Sequence, residues 1–197
     1  MMERRTLLTG LAGSISALVA RAAEPAGEVE TLRGECYAVN GAERRHLVAS
    51  TGVFVGDAVA TGVQSALVMR LGAATEVKLG PEARLVIDRF LMNAGGVLVL
   101  DHGAMLYDHD EKRGPNDVAV RSPFGLIAVR GTRFFAGPSN GVFGVFVEQG
   151  VVTVVGVGSA VAVVSGFGTD ITRPGAEPSA PHVWGAARIA TAMASVS

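Results

Sequence analysis

The sequence predicts an all-β fold, a short-stranded β-solenoid-like body or a bent β-sandwich, with a short C-terminal helix. Three observations predict it. Brief apolar segments rich in valine recur along most of the chain. Turn chemistry separates them, and 26 glycines among 197 residues supply the corners. Within Val118 to Val155, three segments of strand length are divided by Pro123-Phe-Gly125, Gly137-Pro-Ser-Asn-Gly141 and Gln149-Gly150.

Residues 1–22 read as an export signal. Glu3-Arg4-Arg5 is a charged head, Thr6 to Ala20 an apolar stretch, and Ala20-Arg-Ala22 offers small residues to a signal peptidase. The apolar part is shorter than the roughly 20 residues a helix needs to cross a bilayer. Arg4-Arg-Thr-Leu-Leu8 resembles a twin-arginine export signal of bacteria, so the expected location is the periplasm. Glycines, prolines and charges interrupt every later apolar run, and no transmembrane span is expected in the mature chain. Cys36 is the only cysteine, which excludes an intramolecular disulfide and leaves a small buried hydrophobe as its expected role.

Composition narrows the function. Hydrophobic residues make up 49% of the chain, enough for a sizeable core, and charged residues only 18%. Lys and Arg number 17 against 18 Asp and Glu, a formal charge of -1. A protein that binds phosphate backbones carries a basic excess, so nucleic acid is not an expected partner.

Beyond the signal, residues 28–172 form the expected β domain, 173–182 a linker and 183–197 a C-terminal helix or tail. Glu28 to Val39 alternates loosely around a turn at Arg33-Gly34, with Val29, Leu32, Tyr37 and Val39 as core candidates. Asn40-Gly41 is a tight turn, and Leu47-Val48 starts the next apolar patch. Val53 to Val59 follows with Gly56-Asp57 in turn register, and Thr61-Gly62 makes another corner; Ser65 to Leu71 and Glu76 to Leu79 are strands. Gly80-Pro81 turns the chain, and Arg84 to Leu91 joins Val97 to Leu100 through Asn93 to Gly96. A short strand from Ala104 to Tyr107 leads into a charged loop, Asp108 to Arg113. Val151 to Val155 and Ala160 to Val164 flank Gly156 to Ser159, and Thr169 to Thr172 closes the sheet region. Arg173 to Pro181 is rich in Pro, Gly, Glu and Ser. Val183 to Val196 has helical composition, with Pro181 at its first turn and Trp184, Ala187, Ile189 and Met193 as contacts. No strict repeat of 20 to 50 residues is present.

At Val129-Arg-Gly-Thr-Arg-Phe134 the sequence resembles a FecR domain, the extracytoplasmic module first associated with iron-citrate signalling regulators. Gly56-Asp-Ala-Val-Ala-Thr-Gly62 is similar to the family's glycine-aspartate corner, and Ser65 to Leu71 with Glu76 to Pro81 to its strand and glycine-proline turn. Arg121-Ser-Pro-Phe-Gly125 stands at its proline turn, with Ser122 for a threonine. Arg130-Gly131-Thr132 matches its central motif, and Val147 to Val154, containing Glu148 and Gly150, its closing strand with Gln149 inserted. The likeness runs from about Val29 to Thr172. It implies a FecR-type β domain, a non-enzymatic binding or sensing module with no cofactor. In signalling members the domain is joined to a cytoplasmic anti-sigma segment. Here the resemblance implies a stand-alone exported member without that segment, whose partner is a protein or a cell-envelope component. The alternatives are a structural or assembly subunit of the envelope, or a small-ligand or glycan sensor.

The residues themselves support structural roles. Arg130 lies between apolar neighbours, where a charge must be paired or bonded to carbonyls, so it reads as an internal clamp beside Gly131 and Thr132. Asp57 is expected to accept from the amides of its own turn. Asp101-His102 with Asp108-His-Asp-Glu111 has zinc-compatible donors but no tetrahedral spacing, and a solvated loop is the expectation. No G-x-S-x-G elbow, dinucleotide fingerprint or phosphate loop is present, so no catalytic, cofactor or metal residue is assigned.

Overall fold

Buried and half-exposed residues alternate along most strands, as a strand lying between a core and solvent requires. The computed structural model describes residues 25–91, 95–110, 112 and 117–197, apart from the side chains of Leu91 and Arg130. The export signal expected over residues 1–22 lies outside them, as do Asn93, Glu111 and Arg113.

The first strands are β1 (Pro25–Arg33), β2 (Cys36–Asn40), β3 (Glu43–His46), β4 (Gly52–Phe54), β5 (Ala58–Thr61) and β6 (Ala66–Leu71). Next come β7 (Thr75–Leu79), β8 (Arg84–Leu91), β9 (Gly95–His102), β10 (Met105–His109), β11 (Asp117–Ser122) and β12 (Gly125–Arg130). The last are β13 (Arg133–Ser139), β14 (Val142–Gln149), β15 (Val151–Val155), β16 (Ala160–Val164), β17 (Phe167–Ile171) and β18 (His182–Val183), before helix α1 (Ala186–Ala194).

They form two open nine-stranded sheets. Sheet I runs β18-β17-β14-β13-β10-β7-β6-β1-β4, and sheet II runs β16-β15-β12-β11-β9-β8-β5-β2-β3. From β5 onward the chain adds a strand or hairpin to one sheet and then to the other, so it advances along both together. The fold is all-β with a sandwich-like arrangement. Solenoid rungs stack in parallel, whereas pairing here is antiparallel except between β9 and β11. The main core lies between the sheets and includes Leu67, Met69, Leu71, Leu85, Ile87, Leu98, Leu100, Tyr107 and Phe134, each essentially inaccessible. Burial pushes the Tyr107 phenol pKa above its usual range.

Three local expectations change. In β2 the inward residues are Cys36 and Ala38, while Tyr37 and Val39 are only half-buried. A shift of one residue turns a strand over, and Tyr37 instead lies under the Arg44 guanidinium, 4.0 Å from its ring centre. The turn expected over Gly137 to Gly141 narrows to Asn140-Gly141, because Gly137, Pro138 and Ser139 belong to β13 and pair with β14. Helix α1 begins after Gly185, and Pro181 precedes β18 rather than occupying the first helical turn. Ala187 is exposed; Ala192 and Val196 take up the burial.

Candidate interaction surface

The outer faces of the two sheets have different fates. Sheet I is sealed by its own C-terminus. Trp184 is 3% exposed and joins Ala104, Leu106, Phe135, Phe146, Ala192 and Val196 in a second apolar cluster. Its indole stacks on Phe146 at 5.3 Å and meets Phe135 edge-on at 6.3 Å. Gly144 and Gly168 leave it room, since a Cβ at either would come within 2.6 Å and 2.1 Å of the ring. Arg188 lies 3.6 Å from the Trp184 ring centre and donates to Asp170 and to Ser139 Oγ, which pins α1 to β13 and β17. Beyond the helix, charges cover sheet I. Glu28, Arg70, Glu76, Asp108 and Arg133 stand opposite one another on successive strands. Arg133 bonds both Asp108 and Glu148. Burial opposes the Arg133 charge, but those two carboxylates outweigh it and raise the pKa above its ordinary value.

Among the described residues, no helix or aromatic cluster of this kind covers sheet II. Val97, Ala119, Ala128, Thr153 and Ala162 are aligned across β9, β11, β12, β15 and β16 by register. Val97, Ala119, Ala128 and Thr153 line an open groove of about 790 Å³, together with Arg89 and Asp117. Val151 and Val164, 48% and 45% exposed, extend the apolar surface to the edge. Exposed apolar surface of this kind is a candidate interaction site.

The sequence motifs frame this body. Asp57 is fully buried. Its Oδ2 accepts from the Phe54 amide at 2.9 Å and from Arg45 Nη2 at 2.5 Å, and its Oδ1 from Asn40 Nδ2 at 3.0 Å. The expected turn amide is therefore joined by an arginine and an asparagine. Ala38 pairs with Arg45, and cross-strand partners share a face; once Ala38 points inward, Arg45 must too. The internal guanidinium clamp seen among the described side chains is thus Arg45, and the Arg130 side chain, expected to be one, lies outside them. Gly56 donates to Ile87 O at 2.7 Å. Thr61 Oγ1 donates to Gly80 O at 2.6 Å and accepts from the Ala83 amide, while Gly62 donates to Glu35 O at 2.8 Å. Ser122 Oγ accepts from the Phe124 amide at 3.2 Å and holds the Pro123 to Gly125 turn.

Gly131, Thr132 and Gly150 meet where β12 passes into β13 and β14 into β15. Gly150 has φ 87°, and a Cβ there would sit 2.6 Å from Thr132 Cγ2 and 2.8 Å from Gly131 O. Gly150→Ala is expected to cost about 1–3 kcal/mol, from left-handed strain and the clash together. Chemical denaturation checks this, and an unchanged midpoint would contradict the close packing.

Asp101 pairs with Arg84 and Asp108 with Arg133, while buried His109 Nδ1 lies 3.0 Å from Thr75 Oγ1. Among the described residues, no three His, Cys, Asp or Glu side chains group as metal ligands do. Asp101 and His102 do border a second cavity of about 470 Å³, walled by Pro123, Phe124, Pro138 and Phe143. Phe124 and Phe143 stack at 4.4 Å within it. Cys36 is buried, and its burial raises the thiol pKa.

No helix among the described residues is long and apolar enough to cross a membrane. Comparison with curated proteins finds no match. Two crystal structures of a candidate anti-sigma factor from Parabacteroides distasonis ATCC 8503 share the fold, with TM-scores of 0.57 and 0.56 at 14% identity. Each match covers 68% of this chain and 62% of the other. The model of the FecR protein family matches residues 57–153, from the Asp57 corner to the middle of β15. That span contains Asp57, the Thr61-Gly62 corner, the Arg130-Gly131-Thr132 motif and the residues lining the open groove, and this chain carries a FecR domain.

Proposed function

We propose that the protein is a non-enzymatic, periplasmic FecR module, exported by the signal at residues 1–22, that binds a protein or cell-envelope component through the outer face of sheet II. One observation carries this reading: Ala128, Thr153 and Ala162 are exposed and Ala119 half-exposed on the outer face of sheet II, while the opposite exterior is sealed by Trp184 and α1. Likeness in fold to a candidate anti-sigma factor adds support for a signalling context. In this division of labour residues 28–172 are the binding body, 173–182 the linker, and 183–197 the cover of sheet I.

A photo-crosslinking residue at Ala128 or Thr153 should give one discrete adduct in the native envelope, and at Lys78 on sheet I none. Ala119→Arg should abolish the adduct and leave the melting temperature unchanged, because Ala119 is half-exposed on the outer face. Equal adducts from Lys78, or none from sheet II, would overturn the reading. The aromatic-walled cavity favours a second reading, a small-ligand sensor; Phe124→Ala would then abolish ligand-induced stabilisation without affecting the Ala128 adduct.

A further inference from the structure

A sheet edge presents unpaired N–H and C=O groups, and proteins blunt such edges with shortness, charge, proline or bulges. Three of the four edges here are blunted. Strand β18 has two residues and β4 three, and β3 reads Glu43-Arg44-Arg45-His46. The fourth is β16, Ala160-Val-Ala-Val-Val164, which has five residues, no charge and no proline, and pairs with β15 without a register shift.

Its hydrogen-bonding direction follows from its flanks. Gly156 donates to Ser159 O at 3.0 Å, and Ser165 donates to Gly150 O at 3.1 Å. Hydrogen-bonded pairs alternate along an antiparallel ladder. Val161 and Val163 therefore bond β15, and Ala160, Ala162 and Val164 aim their amides and carbonyls at the open edge. No backbone bond among the described residues reaches that side. The side chains of Ala160, Ala162 and Val164 are exposed, so none of the described residues buries this part of the strand.

We infer that β16 pairs antiparallel with β16 of a second copy of this chain, about a two-fold axis through Ala162. The segment is complementary to itself in that register. Ala162 meets Ala162, Ala160 meets Val164 and Val161 meets Val163, so inward residues face inward ones and every outward amide finds a carbonyl. Sheet II becomes continuous across both copies, and its open groove is doubled. A second copy fits better than a charged peptide because the edge carries no charge to match one. The inference stands on the edge rather than on the groove.

Sedimentation velocity of the purified protein tests it. The wild type should show a monomer–dimer equilibrium. Ala162→Pro removes one inter-copy donor from each strand without touching the β15 ladder, and should weaken the dimer about thirtyfold. Ala162→Lys and Ala162→Glu should each be monomeric alone and should form a heterodimer when mixed. A wild type monomeric up to about 1 mM, an Ala162→Pro variant that dimerises as the wild type does, or a Lys–Glu mixture that stays monomeric would overturn it. The Ala128 crosslink reads the groove separately, so either conclusion can fail alone.

Discussion

Replacing Asp57 with alanine is expected to destabilise the protein by about 3 kcal/mol, and to lower its melting temperature by about 10 °C. The carboxylate is wholly buried and takes donors from Arg45, Asn40 and the Phe54 amide. Removing it strands three donors at once. Such a loss usually costs about 3–5 kcal/mol. The lower end applies because Arg45 keeps 24% of its side-chain surface in water and retains its bond to Gly52 O. Asp57→Asn should fall between, since its carbonyl can still accept from Phe54 while the charge opposite Arg45 is gone. Urea unfolding of the two variants measures both, and a loss below about 1 kcal/mol in Asp57→Ala would show that the node is not what anchors β2, β3 and β4.

A second large effect is expected at the other end of the molecule. Trp184→Ala should cost about 3–5 kcal/mol, the range for removing a large buried aromatic. It deletes the ring packed between Gly144 and Gly168, the contacts with Phe135 and Phe146, and the surface on which Arg188 lies. With α1 loosened, Leu106, Phe135 and Phe146 should become accessible, and the variant should bind a hydrophobic dye that the wild type ignores. Trp184→Phe keeps most of the volume and should cost less than about 1.5 kcal/mol. Dye binding equal to that of the wild type in Trp184→Ala would mean that the helix does not seal sheet I.

Corners were the most legible part of the sequence. Asn40-Gly41 and Asn140-Gly141 each join two strands, with both glycines and Asn140 at positive φ, and Gly156 to Ser159 links β15 to β16. Turn residues act locally, so a single sequence reveals them. The face of β2 was not legible, because Tyr37 and Val39 look like better core residues than Cys36 and Ala38 until Arg44 is known to cover Tyr37. Arg45 was missed for a related reason: its carboxylate lies twelve residues on, across a turn and another strand. Gly144 and Gly168 signal a close approach without saying that Trp184 makes it. The aligned row on sheet II could not be read at all. Its members come from five strands, and only the register, including a parallel step from β9 to β11, brings them into line.

The unequal exteriors of the two sheets can be measured directly by hydroxyl-radical footprinting of the dilute monomer. Val151 and Val164 should oxidise readily, while Leu106, Phe135, Phe146 and Trp184 should be protected. Ready oxidation of Trp184 together with protection of Val151 and Val164 would reverse the assignment of sealed and open faces and contradict the account.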